Sequence, residues 1–488
     1  MRKRIAFFLK KAKAKHGDEP RLPTPEASGV SGKPPAATSP APRTQGNFAR
    51  DGAATIAMTL LTLSVGLLTG MLIARTLGPE GRGALTAVLT VPQVLGWLFG
   101  MGCGKAVTYF LSRDGTIAGR LFTTWVVMLL PVAAIAVVAG ELMLPALLSA
   151  QSEETLQIAR IYVPIIVVAL LSELVLGIVL GEQRFFYFNV LNFVQPAGTA
   201  AIYLVLWLHG DFTVRNAVFA QGFMSSLVLV AASAGVLKRH GLARPDFRLG
   251  RATLWYALRT HGEIVSGVVT QRLDLLIIPA FLTAASVGYY ALATSLAWLF
   301  VSVSGALATI VMPAAAKRGE RGRELILKTL HFTVALGLVT GGGLFVLADH
   351  AIRIVYGEDF AESVLLLRIL LPGAVLYAAA GILLNGLYAE NRPFTATLAQ
   401  SLGMIVTVVG LFLFLPVGGV LAAAIISTTA YTLVFLTTAM QYRRAADLDW
   451  SAFWPPASTF KAALEPVRSM LHRHLPARSP ARAEEMGD

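Results

Sequence analysis

Apolar runs of about 20 residues recur along this chain, and they restrict its fold more than any other feature. Each is long enough to cross the ~30 Å hydrocarbon layer of a bilayer. Backbone N–H and C=O groups in lipid must bond to one another, which leaves helices or a closed β-barrel. A barrel would be written in stretches of ~10 residues that alternate in polarity. Runs such as LLTLSVGLLTGMLIA and WVVMLLPVAAIAVVAG are continuously apolar, so the chain is read as helical. Composition agrees: 55% of the 488 residues are hydrophobic and 14% are charged, against about 25% charged in soluble domains.

Twelve such runs are expected, near 53–76, 84–112, 121–147, 158–181, 185–208, 214–237, 262–283, 287–314, 327–348, 362–387, 394–415 and 417–440. The last two are joined by a turn at Leu415-Pro416-Val417-Gly418-Gly419. Cytoplasmic loops carry an excess of Lys and Arg. With the N-terminus placed inside, fifteen cations fall in inner loops and three (Arg82, Arg215 and Arg353) in outer loops. An error in the number of spans would scramble that alternation. The expected topology is therefore multi-pass with both termini in the cytoplasm. The net charge of +13 then marks topology and does not imply a nucleic-acid partner. The one cysteine, Cys103, excludes an internal disulfide and a multi-cysteine metal site.

The organisation follows from these spans. Residues 1–49 read as a basic, mostly disordered cytoplasmic tail, opening on MRKRIAFFLKKAKAKH and rich in Pro, Ser, Ala and Gly from 17 to 48. A first six-helix bundle is expected over 50–237 and a second over 262–441, joined by an interfacial cytoplasmic linker at 238–261. Six spans per half give both halves the same orientation, the parallel-repeat arrangement of several secondary transporters. The strings Gly81-Arg82-Gly83-Ala84-Leu85-Thr86 and Gly288-Tyr289-Tyr290-Ala291-Leu292-Ala293 align weakly across the two halves. Residues 442–488 form a second cytoplasmic tail, with apolar residues at helical spacing from Phe460 to Leu471.

Ionisable groups inside spans are costly and so become functional candidates. Arg272 and Asp274 lie near the middle of span 7. Two residues apart, they project about 200° from each other, so they cannot pair face to face. A hydrated cavity in which Arg272 holds an anion is one reading; an interhelical salt bridge is the other. Lys105, in GMGCGKAVTYFL, either lines a cavity or snorkels to headgroups. That string lacks the phosphate-loop pattern, because Phe99 and Ala106 stand where Gly and Ser or Thr belong. Glu173 in span 4 is a proton or cation site, or the partner of Arg272 or Lys105. Asn189, Asn192 and Gln195 in span 5 form an expected polar stripe that either meets sugar hydroxyls or joins helices. Catalytic patterns are absent: the eight histidines are scattered, and Asp447-Leu448-Asp449 sits in a short tail without a nucleotide-binding domain. No enzymatic activity, cofactor or metal is expected.

Three stretches carry a family likeness. LIARTLGPEGRGALTAVLTVPQVLG resembles the first hairpin of bacterial polysaccharide-export flippases, DLLIIPAFLTAASVGYYALA the start of their second half, and YGEDFAESVLLLRILLPGAVLYAAAGILLNGLYAENRP their tenth span. The resemblance is to the oligosaccharide flippase group, in the superfamily that includes multidrug extruders and lipid II flippases. It implies an all-α polytopic fold of twelve transmembrane helices, in two six-helix bundles related by a parallel pseudo-two-fold around a central cavity. It further implies alternating access, a polyprenyl-diphosphate-linked oligosaccharide as cargo, and a bacterial cytoplasmic membrane location in cell-surface polysaccharide biosynthesis. Arg272 would hold the diphosphate; Lys105 is unusual for that pattern. Expected partners are the lipid-linked saccharide, membrane lipids and polysaccharide-assembly proteins docking on the tails. A cation antiporter using Asp274 and Glu173, and a non-transporting scaffold for wall assembly, are the rival readings.

Overall fold

The computed structural model describes residues 45–316, 320–390, 392–456 and 459. The basic stretch at the start of the chain and the apolar pattern at 460–471 lie outside the described residues. The chain divides into units 1–50 and 51–488; of the first, residues 45–50 are described and are helical. The second is an assembly of helices, with no strand among the described residues.

Among the described residues twelve α-helices are assigned: α1 (Gln45–Phe99), α2 (Cys103–Arg113), α3 (Ala118–Leu147), α4 (Glu153–Tyr162), α5 (Ile165–Gly181), α6 (Phe185–Leu208), α7 (Val214–His240), α8 (Phe247–Phe281), α9 (Ala284–Ala316), α10 (Glu320–Tyr356), α11 (Glu362–Ala389) and α12 (Pro393–Ala446). Nine among the described residues are long and apolar enough to cross a membrane, or ten when α4 and α5, bent by 43°, count as one. At 1.5 Å per residue α1 and α12 are each about 80 Å long, more than twice the hydrocarbon layer. Both are broken. Gly78 (φ 65°) precedes Pro79 in α1, and Gly419 (φ 56°) follows Pro416 in α12. Positive φ suits glycine, which has no Cβ to clash with the following carbonyl.

Three further breaks have local causes. Span 2, expected to be continuous over 84–112, stops at Phe99 and restarts at Cys103, with Met101 (φ 52°) and Gly102 (φ 71°) in the left-handed region. Pro164 separates α4 from α5, because its ring blocks the helical hydrogen bond and crowds the preceding turn. In the expected linker, 241–246 is non-helical, and helix resumes at Phe247 under an Asp246 cap and runs unbroken to Phe281.

The buried side chains fall into clusters that divide mostly by half. Two combine residues 85–236 with Ala257 and Leu276 of α8. Three others draw on residues 275–453, with Ala74 of α1 added to the largest. Span faces carry exposed Leu, Val and Phe, such as Leu142, Val346 and Phe412. Apolar surface of that extent suits a lipid environment rather than water.

At one end the two halves touch through backbone. A Cβ on Gly83 would overlap the Ala284 carbonyl, and one on Gly288 would overlap that of Pro79. These glycines belong to the two strings that align in the sequence, and here they lie against each other. Around them Arg75 donates to the carbonyls of Val355 (2.9 Å) and Ile354, at the end of α10. Gln151 donates to Pro279 (3.0 Å) and Leu282 (2.8 Å), and Ser149 to Ala280 (2.8 Å). These side chains satisfy carbonyls that the C-terminal turns of α8 and α10 leave without intrahelical partners.

Candidate functional site

A cavity of about 520 Å³ lies among α1, α4, α5, α6, α7, α8 and α9, a size usual for small-molecule sites. Helices of the first half build most of its wall; Arg272, Leu275, Ala291 and Ser295 come from α8 and α9. Four of the seven expected site residues line it: Arg272, Glu173, Asn192 and Gln195.

Arg272 is half-buried and reaches the cavity from α8. Its guanidinium lies 5.2 Å from the centroid of the Trp298 ring. Among the described residues it makes no ion pair and no hydrogen bond. A cation within a span, with its five donors unused, calls for water or an anion in the cavity. Glu173 stands on α5 against the restart of span 2 and accepts from the Gly104 N–H at 3.3 Å. It thereby caps the N-terminus of α2, whose own N-cap, Gly102, offers no side chain. Asn192 donates to the Phe188 carbonyl of its own helix at 2.9 Å. Gln195 donates to Ser225 Oγ (3.0 Å), and Ser225 donates to the Gln221 carbonyl (2.9 Å).

The other three lie elsewhere. Asp274 is buried, with 1% exposure, on the far side of α8 from Arg272. Its carboxylate accepts from Tyr290 Oη (2.5 Å), Ser427 Oγ (3.1 Å) and the Leu275 N–H (2.7 Å). The 200° offset read from the sequence is thus realised, one side chain facing the cavity and the other a packed interior. Lys105 is exposed and pairs with Glu263 of α8 at 2.7 Å, outside the cavity wall. Neither Glu173 nor Arg272 is its ion-pair partner. Asn189 donates to Thr55 Oγ1 at 2.9 Å, so the expected stripe is split. Six residues advance a helix by 600°, which leaves Asn189 and Gln195 about 120° apart.

Further polar side chains in the lining include Gln93 on α1, Ser172 on α5, and Gln221 and Ser225 on α7, with Trp97 as a flat apolar face. The signal that finds them is an uncharged amide or hydroxyl within an apolar run, as in TVPQVLG and VFAQGFM. The wall therefore offers amides and hydroxyls that donate and accept, one free guanidinium and one carboxylate. Such a set can hold a hydroxyl-rich headgroup bearing an anion. No group of three or more His, Cys, Asp or Glu side chains that could hold a metal occurs among the described residues.

Comparisons with known proteins agree with this architecture. A family model described as "Polysaccharide biosynthesis protein" matches residues 72–365. The probable low-salt glycan biosynthesis flippase Agl15 of Haloferax volcanii is 23% identical over 272 residues. That match covers 53% of this chain and 58% of the relative, so the chain spans little more than half the length of that curated protein. Among solved structures, the lipid II flippase MurJ in an inward closed conformation superposes with a TM-score of 0.69 at 15% identity, covering 86% of this chain and 93% of MurJ. An inward-facing multidrug resistance MATE family transporter of the MOP superfamily gives 0.64 at 14%, covering 81% and 98%. At such identities the two structures establish a shared all-α membrane-protein fold.

Proposed function

The chain belongs to the polysaccharide biosynthesis protein family, and from that premise we propose that it is a flippase for a polyprenyl-diphosphate-linked oligosaccharide. The observation that carries the proposal is Arg272, a cation at the wall of an amide-lined cavity that makes no hydrogen bond or ion pair among the described residues. A diphosphate supplies the oxygens a guanidinium fork binds in pairs. The amides and hydroxyls of α1, α6 and α7 then meet the sugar. The polyprenyl chain stays in the bilayer, where its transfer from water has already been avoided.

In this reading α1 and α12 each supply two spans, broken at Gly78 and Gly419. The second part of α1 continues into α2, and α4 with α5 makes one bent span. The count is then twelve, with both termini in the cytoplasm of a cell whose cytoplasmic membrane holds the protein. The cavity takes up the headgroup from one side, and the two halves tilt to release it on the other. The antiporter reading would have Asp274 and Glu173 act together; Glu173 lines the cavity and Asp274 does not.

Translocation of a polyprenyl-diphosphate-linked disaccharide in proteoliposomes tests the assignment. Arg272→Ala is expected to lower the rate at least tenfold, equivalent to about 1.4 kcal/mol or more. Arg272→Lys should retain part of it, since a point cation keeps the attraction and loses the fork. A wild-type rate in Arg272→Ala would overturn the proposal.

A further inference from the structure

Arg272 is held in its place by very little. Among the described residues no carboxylate and no carbonyl takes its protons, and its guanidinium lies against the Trp298 ring, 5.2 Å from the centroid. Trp298 is on α9 and does not line the cavity; Arg272 does. The indole face therefore meets the guanidinium without forming part of the wall at which an anion would enter.

That face is itself fixed. Trp298 packs against Tyr377 of α11 (centroids 5.9 Å apart) and Tyr431 of α12 (6.3 Å), and those two rings lie 4.9 Å from each other. Both tyrosines are buried. The residue next to Arg272 is tied to the same cluster: Gln271 Nε2 donates to Tyr377 Oη at 2.7 Å. Tyr377 Oη also meets the side-chain amide of Gln400. One turn of α8 thus carries two neighbouring links to one aromatic group, a hydrogen bond from Gln271 and a ring contact from Arg272. A ring attracts a cation through its quadrupole without accepting any of its N–H protons in the plane of the guanidinium. The contact orients the side chain and leaves the donor edge free. A carboxylate in the same position would orient it equally and occupy that edge.

We propose that Trp298 is a positioning residue that aims the Arg272 guanidinium into the cavity with its donor edge open to the cargo diphosphate. The proposal rests on the flippase reading above and adds the group through which Arg272 is made competent. Its physical content is preorganisation: a flexible side chain of high rotamer entropy is held before the anion arrives, so less freedom is lost on binding.

The test is a double-mutant cycle on translocation of the same polyprenyl-diphosphate-linked disaccharide in proteoliposomes, with Trp298→Leu, Arg272→Ala and the pair. Trp298→Leu is expected to raise the KM about three- to tenfold with a smaller change in kcat. Trp298→Phe, which keeps a ring of weaker electrostatic face, should recover part of the loss. In an Arg272→Ala background Trp298→Leu should add nothing, because the group it positions is gone. Inorganic pyrophosphate, which should compete with the cargo in the wild type, should compete at least threefold more weakly in Trp298→Leu. Additive losses, or a Phe variant as impaired as Leu, would overturn the positioning role and leave the flippase reading intact. A silent Arg272→Ala would overturn both. Should Trp298→Leu fail to fold, Trp298→Phe and Trp298→Tyr carry the cycle. KM values that track the loss of the ring's electrostatic face, weaker in Phe than in Tyr or Trp, support the role, and identical values overturn it.

Discussion

At the scale of single residues, the two charges of span 7 show how a helix sorts function from structure. Arg272 and Asp274 are neighbours in the sequence and face different surroundings. Among the described residues Asp274 forms no ion pair with Arg272; it is sustained by Tyr290, Ser427 and its own backbone. A buried carboxylate that loses one donor keeps its desolvation cost, about 1–3 kcal/mol per unmade bond. Tyr290→Phe should therefore lower stability by that amount, seen as a lower midpoint of thermal unfolding in detergent. The rate of translocation per folded molecule should hold, because Asp274 does not line the cavity. The opposite facing of the two was legible in the sequence from the residue spacing and the helical rotation per residue; which of them meets the cavity was not, and Asp274, expected there, lies outside its wall. The partner of Lys105 was not: Glu263 lies 158 positions away, and no local pattern links them. Asn189 was misjoined to Asn192 and Gln195 for a related reason, since successive steps of three residues drift around a helix instead of staying on one face.

At the scale of elements, the membrane helices are defined as much by their breaks as by their apolar runs. Gly-Pro at 78–79 and the Pro416–Gly419 turn are strong punctuation, and the expected span ends near 76, 415 and 417 agree with the breaks found at Gly78 and Gly419. The break at Met101–Gly102 was not legible. Glycines inside a span serve close packing as often as they mark an interruption, and only the position of Glu173 against Gly104 separates the two. Gly419 offers a clean measure of backbone cost. Nothing lies within 4 Å of where its Cβ would be, so Gly419→Ala carries the left-handed penalty alone, roughly 1–2 kcal/mol. Urea or thermal unfolding of the purified protein should read that loss; an unchanged midpoint would mean that the kink is free to adopt another conformation.

At the scale of the whole molecule, the long apolar runs carried the all-α membrane architecture, whereas the asymmetry of Lys and Arg speaks to the sidedness of the loops. The membership of the cavity wall depended on helix–helix packing, which a sequence without long-range contacts does not display. Topology can be measured directly. In a Cys103→Ser background, a membrane-impermeant maleimide applied to intact cells should label Asp211→Cys and spare Arg244→Cys, both of which replace exposed residues between helices. Equal labelling at both positions would contradict the proposed alternation of loops.

The meeting of Gly83 with Gly288 has a consequence for how the halves can move. Two backbones that touch with no side chain between them have no rotamers with which to yield gradually. Such a junction behaves as a clasp that is either fastened or undone. A methyl group on either strand is a permanent wedge in the clasp, so Gly83→Ala should leave that end of the protein ajar. Greater maleimide reactivity of a cysteine placed at Ala284, with translocation slowed severalfold, is the expected outcome, and unchanged reactivity would show that the fastening tolerates a spacer.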